Sequence, residues 1–294
     1  MKQIGVLCVV SLCVYQILCS DDVCEGNWDY RNESRLGPVD WLKIYPLCGG
    51  NQQSPIGIRD SKLSTPKKEN KITFDNYNEK PKAGEYYTIS NDGRALLFKF
   101  PKKTKYYLKK GTNTFVPTQA RMHFGSRSLK GSEHVLNGKI YRAEIHIFHR
   151  NKKHLPSAAL KHKNGLLVVG VFVRLSSGER SSPIIAKFAR HAQSVAQPGN
   201  STKVKAFPLN KFFPCEGELT VTPYVNYQGS LTTPPCAEVV DWVILSRRSL
   251  RINIRDLESI HDVLDCDSRP LYGNYRPTQE RNGRILYGVN MSED

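Results

Sequence analysis

Apolar and polar residues alternate with a period of two in many short runs of this chain, which is the pattern of β-strands. The clearest runs are YTIS and ALLFKF between residues 87 and 100, EIHIFH at 144–149, LLVVGVFVRL at 166–175 and VDWVIL at 240–245. Helical periodicity is scarce and is best in the segments 182–196 and 255–264. Turn signals break the runs at Asn91-Asp92-Gly93, Asn137-Gly138, Asn164-Gly165, Pro198-Gly199 and Asn282-Gly283. The pattern predicts a mainly β fold with a few short helices.

The first twenty residues differ from the rest. Lys2 precedes the apolar run IGVLCVVSLCVYQILCS, small residues end it near Ser20, and two aspartates follow. The run is shorter than the roughly 20 residues that a membrane span needs. It therefore predicts a secretory signal peptide over 1–20, followed by one exported domain over 21–294 with no membrane span. A length of 294 residues with 39% hydrophobic and 24% charged positions suits one large domain.

The predicted export determines how the cysteines are interpreted, because exported proteins form disulfides. Eight cysteines are present, and five remain after residue 20: Cys24, Cys48, Cys215, Cys236 and Cys266. An odd number in an oxidising compartment predicts either an unpaired thiol or a bridge to another chain, and the second outcome would give a disulfide-linked dimer. Three N-x-S/T sequons agree with export and predict glycosylation at Asn32, Asn200 and Asn290.

The chain is strongly basic, with a formal net charge of +16. The segment PKKTKYYLKK carries a predicted anion-binding cluster of Lys102, Lys103, Lys105, Lys109 and Lys110. Two further clusters are HRNKKH at 149–154 and KHK at 161–163. Each cluster alone is typical of a solvated loop, but together they predict anionic glycans or acidic extracellular proteins as partners. Export and the lack of a nucleic-acid motif argue against nucleic acid.

Candidate metal ligands lie on two of the predicted strands. Side chains two residues apart share a face of a strand, so Gln119, Arg121 and His123 in TQARMHF point the same way. The run AEIHIFH places His146 on one face together with Glu144 and Phe148. A His-x-His pair on the first strand would be a metal motif, but Arg121 stands where its first histidine would be.

Three segments, in order, carry a family resemblance: YPLCGGNQQSPIGI, GSEHVLNGKIYRAEIHIFH and YQGSLTTPPC. In this order and at these separations they resemble the α-carbonic anhydrases, from about Trp28 to near the C-terminus. The resemblance implies a central, twisted, mostly antiparallel sheet with a conical cavity. Three histidines at its floor would hold zinc, whose bound hydroxide attacks CO2.

The resemblance assigns roles residue by residue. The three zinc positions fall on Arg121, His123 and His146. The pair that orients the zinc-bound hydroxide falls on Thr232 and Glu133, and the position of the proton shuttle falls on Arg94. Glu144 and Gln119 fall at positions that support the zinc ligands without binding the metal themselves. The CO2 pocket falls on Phe148, Val168, Leu231, Thr233 and Trp242. Cys48 and Cys236 match a bridged pair, whereas the pairing among Cys24, Cys215 and Cys266 stays open.

Arginine is a poor occupant of a ligand position. Catalytic zinc needs three protein ligands and an open position, and a guanidinium is always protonated and has no lone pair to donate. At 4 Å and an effective dielectric constant near 20, a unit pair is worth about 4 kcal/mol, so a divalent ion beside Arg121 loses roughly 8 kcal/mol. Zinc sites contribute about 10 to 16 kcal/mol in total. Zinc is therefore expected to bind weakly or not at all, and no resident cofactor is expected.

Two hypotheses follow. In the first, this is a secreted carbonic-anhydrase-related protein that lacks or is strongly impaired in CO2 hydration and acts as a basic binding or matrix module. His123 and His146 are then buried polar groups, and Arg94 with Arg121 would attract small anions such as bicarbonate into the cavity. In the second, it is an active secreted carbonic anhydrase with an irregular zinc site. As replacement ligands, Gln119, His134 and His149 are disfavoured by donor type or direction.

Overall fold

Strands dominate the part of the chain that the computed structural model describes, which comprises residues 23–24, 26–126, 128–178, 180–214, 219 and 223–291. The predicted signal peptide over 1–20 lies outside these residues. The strands are β1 (Gly57–Ile58), β2 (Ile72–Asp75), β3 (Tyr86–Asn91), β4 (Leu96–Lys99), β5 (Tyr107–Lys110), β6 (Asn113–Phe124), β7 (Val135–Leu136), β8 (Ala143–Asn151), β9 (Leu166–Leu175), β10 (Ser201–Lys205), β11 (Tyr224–Gly229), β12 (Val240–Leu245), β13 (Leu250–Ile252) and β14 (Tyr287–Val289).

The mainly β fold class is confirmed, and so are the strands that the alternating runs predicted. The predicted runs at 166–175 and 240–245 coincide with β9 and β12, and the run at 144–149 lies within β8. The segment 87–100 forms β3 and β4, joined by the Asn91-Asp92-Gly93 turn, in which Gly93 has φ +74°. A φ in this left-handed region favours glycine.

The helices are short. They are α1 (Trp41–Ile44), α2 (Pro156–Ala159), α3 (Pro183–Ala192) and α4 (Ile254–His261). The last two occupy the predicted helical segments. Helix α4 begins at Asn253, whose side chain accepts a hydrogen bond from the backbone N–H of Asp256, as an N-cap does. Single 3₁₀ turns lie at Asn32–Ser34, Pro46–Gly49, Asp60–Lys62, Lys68–Asn70, Gln193–Val195 and Leu209–Phe212.

One large mixed sheet forms the framework. Its main path runs β10-β3-β4-β6-β8-β9-β12-β11-β14, with β2, β5 and β13 paired beside it. Neighbours are antiparallel except where β9 pairs in parallel with β12 and β13. Strands β6, β8 and β9 are therefore central and have a neighbour on each side.

The two faces of the sheet bury different side chains. On β6, Ala120, Met122 and Phe124 face a large core that includes the apolar sides of α3 and α4. The intervening residues Arg121 and His123 face the opposite way, towards a second core. The second core contains Val168, Tyr227 and Trp242. This alternation places the candidate ligands on the face away from α3 and α4.

Two disulfides tie the N-terminal segment to loops in the last third of the chain. Cys48 is joined to Cys236, the pair that the resemblance implied, and Cys24 is joined to Cys266, which resolves part of the open pairing. Cys215 lies outside the described residues, so the predicted dimer stays a prediction. Within the described ranges, no helix has the length and apolar character that crossing a bilayer requires.

Candidate metal centre

Strands β6 and β8 lie side by side and bring the candidate ligands together. Their antiparallel register sets Arg121 opposite His146 and His123 opposite Glu144. The side chains of His123, His146 and Glu144 are fully buried. The ring centroids of the two histidines lie 4.5 Å apart. Sequence alternation alone thus predicted the shared face, and the register of the two strands supplies the contact.

Hydrogen bonds orient both imidazoles. His123 Nδ1 lies 2.7 Å from the carbonyl oxygen of Asn274, and His146 Nε2 lies 2.8 Å from Glu144 Oε1. Both partners are acceptors, so these nitrogens carry the hydrogen and His123 Nε2 and His146 Nδ1 keep bare lone pairs. Burial lowers the pKa of both histidines, that of His123 well below its ordinary range. Both rings are therefore neutral near pH 7, the form that binds metals.

Glu144 accepts a hydrogen bond from His146, the contact that the resemblance implied. Its carboxylate also accepts hydrogen bonds from the backbone N–H of His134 at 2.8 Å and from His134 Nδ1 at 2.7 Å. Burial by itself would raise the pKa of Glu144, but His134 and His146 outweigh it and hold the pKa well below its ordinary range. The ionised carboxylate thereby fixes the direction of His146, an arrangement that is common behind metal-binding histidines.

Glu133 is the third group that converges on the two histidines. Its Oε1 accepts a hydrogen bond at 2.8 Å from the backbone N–H of Arg276. Its Oε2 lies 3.6 Å from both His123 Nε2 and His146 Nδ1. Burial raises the pKa of Glu133 to about 8. The resemblance pairs Glu133 with Thr232, and the Thr232 side chain opposes part of this rise in the pKa.

Arg121 reaches away from the histidines. Its guanidinium Nη2 forms an ion pair with Asp92 in the turn between β3 and β4. The side chain of Arg121 is largely buried, at 14% exposure. A guanidinium offers no lone pair, so the three-imidazole zinc set of the resemblance does not fit the residues present. Asp92 does offset part of the repulsion that Arg121 would exert on a cation.

Arg94 is held by the N-terminal segment. Its guanidinium lies 4.6 Å from the ring centroid of Trp28 and donates to the backbone carbonyls of Gly26 and Trp28. Since Arg94 and Arg121 each have partners already, an anion that used both would have to displace them. The geometry therefore does not favour the expected small-anion site.

The remaining predicted pocket residues lie on the same face as the histidines. Phe148, Val168, Leu231 and Trp242 belong to the second core, and Thr233 and Gln119 are buried. Trp242 packs edge-on against His146, with ring centroids 4.8 Å apart. The ring of Phe148 lies 6.4 Å from that of His146. Together they surround the histidines with apolar surface.

Sequence reasoning missed three residues that shape the site. Asn274 supplies the carbonyl for His123, while its side chain bonds the backbone of Arg94, Met122 and Phe124. Arg276 supplies the N–H for Glu133. Asp92 neutralises Arg121. All three lie on turns or loops far along the chain from their partners, where strand periodicity carries no information.

A sequence model of the eukaryotic-type carbonic anhydrases matches residues 36–290. This chain belongs to that family. Carbonic anhydrase 6 of Canis lupus familiaris is 30% identical over 263 residues, covering 88% of this chain and 79% of the relative. Carbonic anhydrase 12 of Homo sapiens is 30% identical over 271 residues, covering 89% and 73%. Carbonic anhydrase 3 of Bos taurus is 30% identical over 267 residues, covering 88% and 96%.

The predicted lysine cluster of this carbonic anhydrase family member is only partly available to a partner. Lys105 pairs with Glu79 at 2.5 Å, Lys109 with Asp75 at 2.6 Å, and Lys110 with the buried Asp241. Lys102 and Lys103 are exposed and make no ion pair within the described ranges. The sequence could not separate these two groups, because the carboxylate partners come from other strands.

Two side-chain contacts link the three basic clusters in the fold. Lys152 lies over the ring of Tyr107, with its Nζ 5.2 Å from the centroid, which joins the second cluster to the first. His154 and His162 stack with ring centroids 4.1 Å apart, which joins the third cluster to the second. The basic surface is defined by the exposed lysines of these clusters, Lys102, Lys103, Lys152, Lys153, Lys161 and Lys163.

The predicted glycosylation sites are placed differently. Asn200 is exposed in the turn before β10, and Asn290 is half-buried after β14. The side chain of Asn32 lies outside the described residues.

Proposed function

We propose that this chain is a secreted carbonic-anhydrase-like protein in which CO2 hydration is lost or strongly impaired, and that it acts as a binding or matrix module for anionic partners. The loss of CO2 hydration is proposed because Arg121 occupies a position at which the resemblance implies a zinc ligand. Its guanidinium cannot coordinate a metal and is committed to Asp92. Without a properly held zinc ion, water keeps a pKa far above neutrality and no nucleophile forms.

The retained residues do not by themselves imply activity. The bond from the Arg276 backbone N–H to Glu133 ties two loops together whether or not a reaction takes place. Likewise, the bonds of Glu144 to His134 and His146 satisfy buried polar groups that any folded protein must pair. An active enzyme with an irregular zinc site remains the alternative, and it requires a third ligand from elsewhere in the site.

The basic surface supports the second part of the proposal. Six exposed lysines on three joined segments make no ion pair with any described carboxylate. A polyanion gains charge-assisted hydrogen bonds from such lysines and releases counterions as it binds. Anionic glycans and acidic extracellular proteins fit this surface. Binding of bicarbonate in the cavity is less well supported than binding of polyanions at the surface, because Arg121 already pairs with Asp92.

Export is supported by the covalent structure. Two disulfides join segments 242 and 188 residues apart in the sequence. Such bridges persist in oxidising compartments and are rare in the cytosol. Together with the apolar run over 1–20, they support an extracellular location.

The hydration hypothesis is tested by Arg121→His. We expect the native protein to hydrate CO2 at no more than about a thousandth of the rate of the variant, because the variant completes the three-imidazole set that generates the nucleophile. Stopped-flow measurement of CO2 hydration with zinc added checks both. Arg121→Lys is the control, since it restores no ligand.

Native activity comparable to that of Arg121→His would overturn the proposal. If the histidine variant takes up zinc but does not hydrate CO2, Arg121 is not the cause of the loss, and that part of the proposal fails.

A further inference from the structure

We propose that a separate polar cavity of this protein binds one acidic sugar unit of an anionic glycan, a unit that carries a carboxylate or a sulfate group. The cavity has a volume of about 600 Å³ and is lined by the turn between β5 and β6, the segment before β9 and strand β11. Its lining includes none of Arg121, His123, Glu133 and His146. The inference rests on the proposed function, since it selects the glycan among the anionic partners and places one of its sugar units.

A network of buried polar groups lies along one side of the polar cavity. Lys110 Nζ donates to Asp241 and, at 2.9 Å, to Asn226 Oδ1. Asn70 Nδ2 donates to the same oxygen at 2.8 Å, and Asn226 Nδ2 donates to Asp241 Oδ1 at 2.6 Å. An ammonium group has three N–H donors, and the described residues use two of them. Asp241 therefore compensates the charge of Lys110, while one N–H is left for a neutral oxygen such as a sugar hydroxyl.

Neutral polar side chains line the more open part of the polar cavity. They are all exposed or half-buried, and they are Gln52, Thr112, Asn113, Asn164 and Gln228. Amides offer both hydrogen-bond donors and acceptors, as sugar hydroxyl groups require, whereas an ionised carboxylate only accepts. The volume lies within the roughly 300 to 1,000 Å³ of ligand sites. This lining therefore favours a saccharide over the acidic side chains of a protein.

The charges of the polar cavity suit a ligand with few negative groups. Lys163 and Arg284 line it, and neither forms an ion pair with a described carboxylate. The guanidinium of Arg284 donates to three backbone carbonyls, among them that of Gln228 at 3.3 Å, and these are neutral acceptors. The exposed Glu69 opposes a densely charged polyanion. A sugar unit with one acidic group and several hydroxyl groups fits this balance.

Asn151 links the polar cavity to the basic surface. Its Nδ2 donates to Asn113 Oδ1 at 3.3 Å and to the backbone carbonyl of Asn164 at 3.2 Å. Its Oδ1 accepts from the backbone N–H of Lys153 at 3.1 Å. Lys163 belongs to both the basic surface and the cavity lining. A glycan chain that lies on the basic surface therefore reaches the cavity, where one of its units is held.

The test is calorimetric titration of the full-length mature protein with a heparin tetrasaccharide at low salt. Lys163→Gln should weaken binding about tenfold, the lower end for a hydrogen bond between charged groups. Lys161→Gln is the matched control, because Lys161 is equally exposed in the same segment but does not line the polar cavity. It should weaken binding less than about twofold, since an exposed charge outside the site contributes little.

A second pair of variants tests the neutral lining without changing any charge. Gln52→Ala should weaken binding about threefold, as loss of one neutral hydrogen bond does. Asn51→Ala is the control, because Asn51 is the exposed neighbour outside the cavity lining. All four substituted side chains are exposed, so we expect native stability in urea unfolding.

Two further probes identify what the polar cavity recognises. A hyaluronan tetrasaccharide carries carboxylates and no sulfates, so its affinity relative to the heparin tetrasaccharide tells which acidic group is bound. Lys163-dependent binding of either one supports the proposal. A polyaspartate peptide of the same charge should displace the heparin tetrasaccharide poorly, and equal displacement would show that charge alone is recognised and overturn the proposal.

Retention on heparin resin separates this inference from the function on which it rests. If the native chain is not retained at low salt, the proposed anionic-partner function fails, and this inference fails with it. If the chain is retained but Lys163→Gln and Lys161→Gln bind the heparin tetrasaccharide equally well, the polar cavity is not the site. In that case only the inference is overturned.

Discussion

At the scale of single residues, the site depends on which charges are paired. Arg121 is recognisable from its position two residues before His123, but its partner Asp92 lies 29 residues away, in a turn that the sequence predicted only as a turn. The ion pair with Asp92 lowers the repulsion between Arg121 and a zinc ion. An unpaired guanidinium would repel a cation strongly, whereas a paired one repels it less. The sequence alone shows that Arg121 cannot serve as a zinc ligand. The fold determines how strongly Arg121 repels a cation.

A buried histidine outside the site predicts a pH dependence of stability. His149 Nε2 lies 2.7 Å from the hydroxyl of Tyr77, and burial lowers the pKa of His149 to about 4. The unfolded chain binds this proton below about pH 6.5, whereas the folded chain binds it only near pH 4. Stability is therefore fully present above pH 6.5 and falls as the pH drops towards 4, by about 3 kcal/mol for this group.

Urea unfolding at pH 7 and pH 4.5, with a chelator present, measures that fall. We expect His149→Gln to lose about 2 kcal/mol less than the native chain between the two pH values, because glutamine does not titrate. His123 and His146 contribute equally to both proteins and cancel in the comparison. An identical fall in both would show that His149 is not the source.

At the scale of elements, a glycine on the neighbouring strand β9 explains how the buried side chain of Glu144 is accommodated. On β9, Gly170 lies opposite His146. A Cβ at Gly170 would lie 2.6 Å from Ile244 Cδ1 and 2.9 Å from Glu144 Oε1. The glycine thus leaves the space that the carboxylate occupies, and a larger residue would push Glu144 away from His134 and His146.

Gly170→Ala tests this use of space. Alanine in a strand interior normally gains about 0.5 to 1 kcal/mol over glycine, but here the clash should dominate and destabilise the protein by about 1 to 3 kcal/mol. Gly57→Ala in β1 is the control, because nothing lies within 4 Å of its added Cβ. Urea unfolding of both variants checks the prediction, and equal stability of the two would contradict it.

At the scale of the whole molecule, the fold joins three basic segments that the sequence presents separately. The stacked pair His154 and His162 and the contact of Lys152 with Tyr107 connect them. Ion pairing removes Lys105, Lys109 and Lys110 from the set available to a partner. The basic surface therefore depends more on residues 152–163 than the sequence alone indicated.

Heparin chromatography tests this shift. Reversing the charges of Lys152, Lys153, Lys161 and Lys163 to glutamate should lower the salt concentration of elution. It should also reduce the logarithmic salt dependence of binding by about one unit for each lysine that no longer meets a sulfate or carboxylate group. The control reverses the same number of exposed charges elsewhere, at Lys203, Lys205, Arg247 and Arg248. Equally weakened retention of both variants would mean that net charge, rather than this surface, causes retention.

The sequence by itself determined the strands, their faces and the chemistry of the candidate ligands. Runs rich in apolar and β-branched residues specify β8, β9 and β12, which the fold buries almost entirely on both faces. The period of two along a strand specifies that Arg121 and His123 share a face. These properties are local, so they can be read from neighbouring residues.

Only the tertiary structure decided what each of these side chains meets. The pairing of Cys24 with Cys266, the ion pair of Arg121 with Asp92 and the approach of Glu133 Oε2 to two histidines all join distant parts of the chain. Such contacts depend on strand order and on where loops return to the sheet, and no periodicity encodes either. For this reason the sequence predicted a site without its third imidazole, and the fold placed a buried carboxylate beside the two that remain.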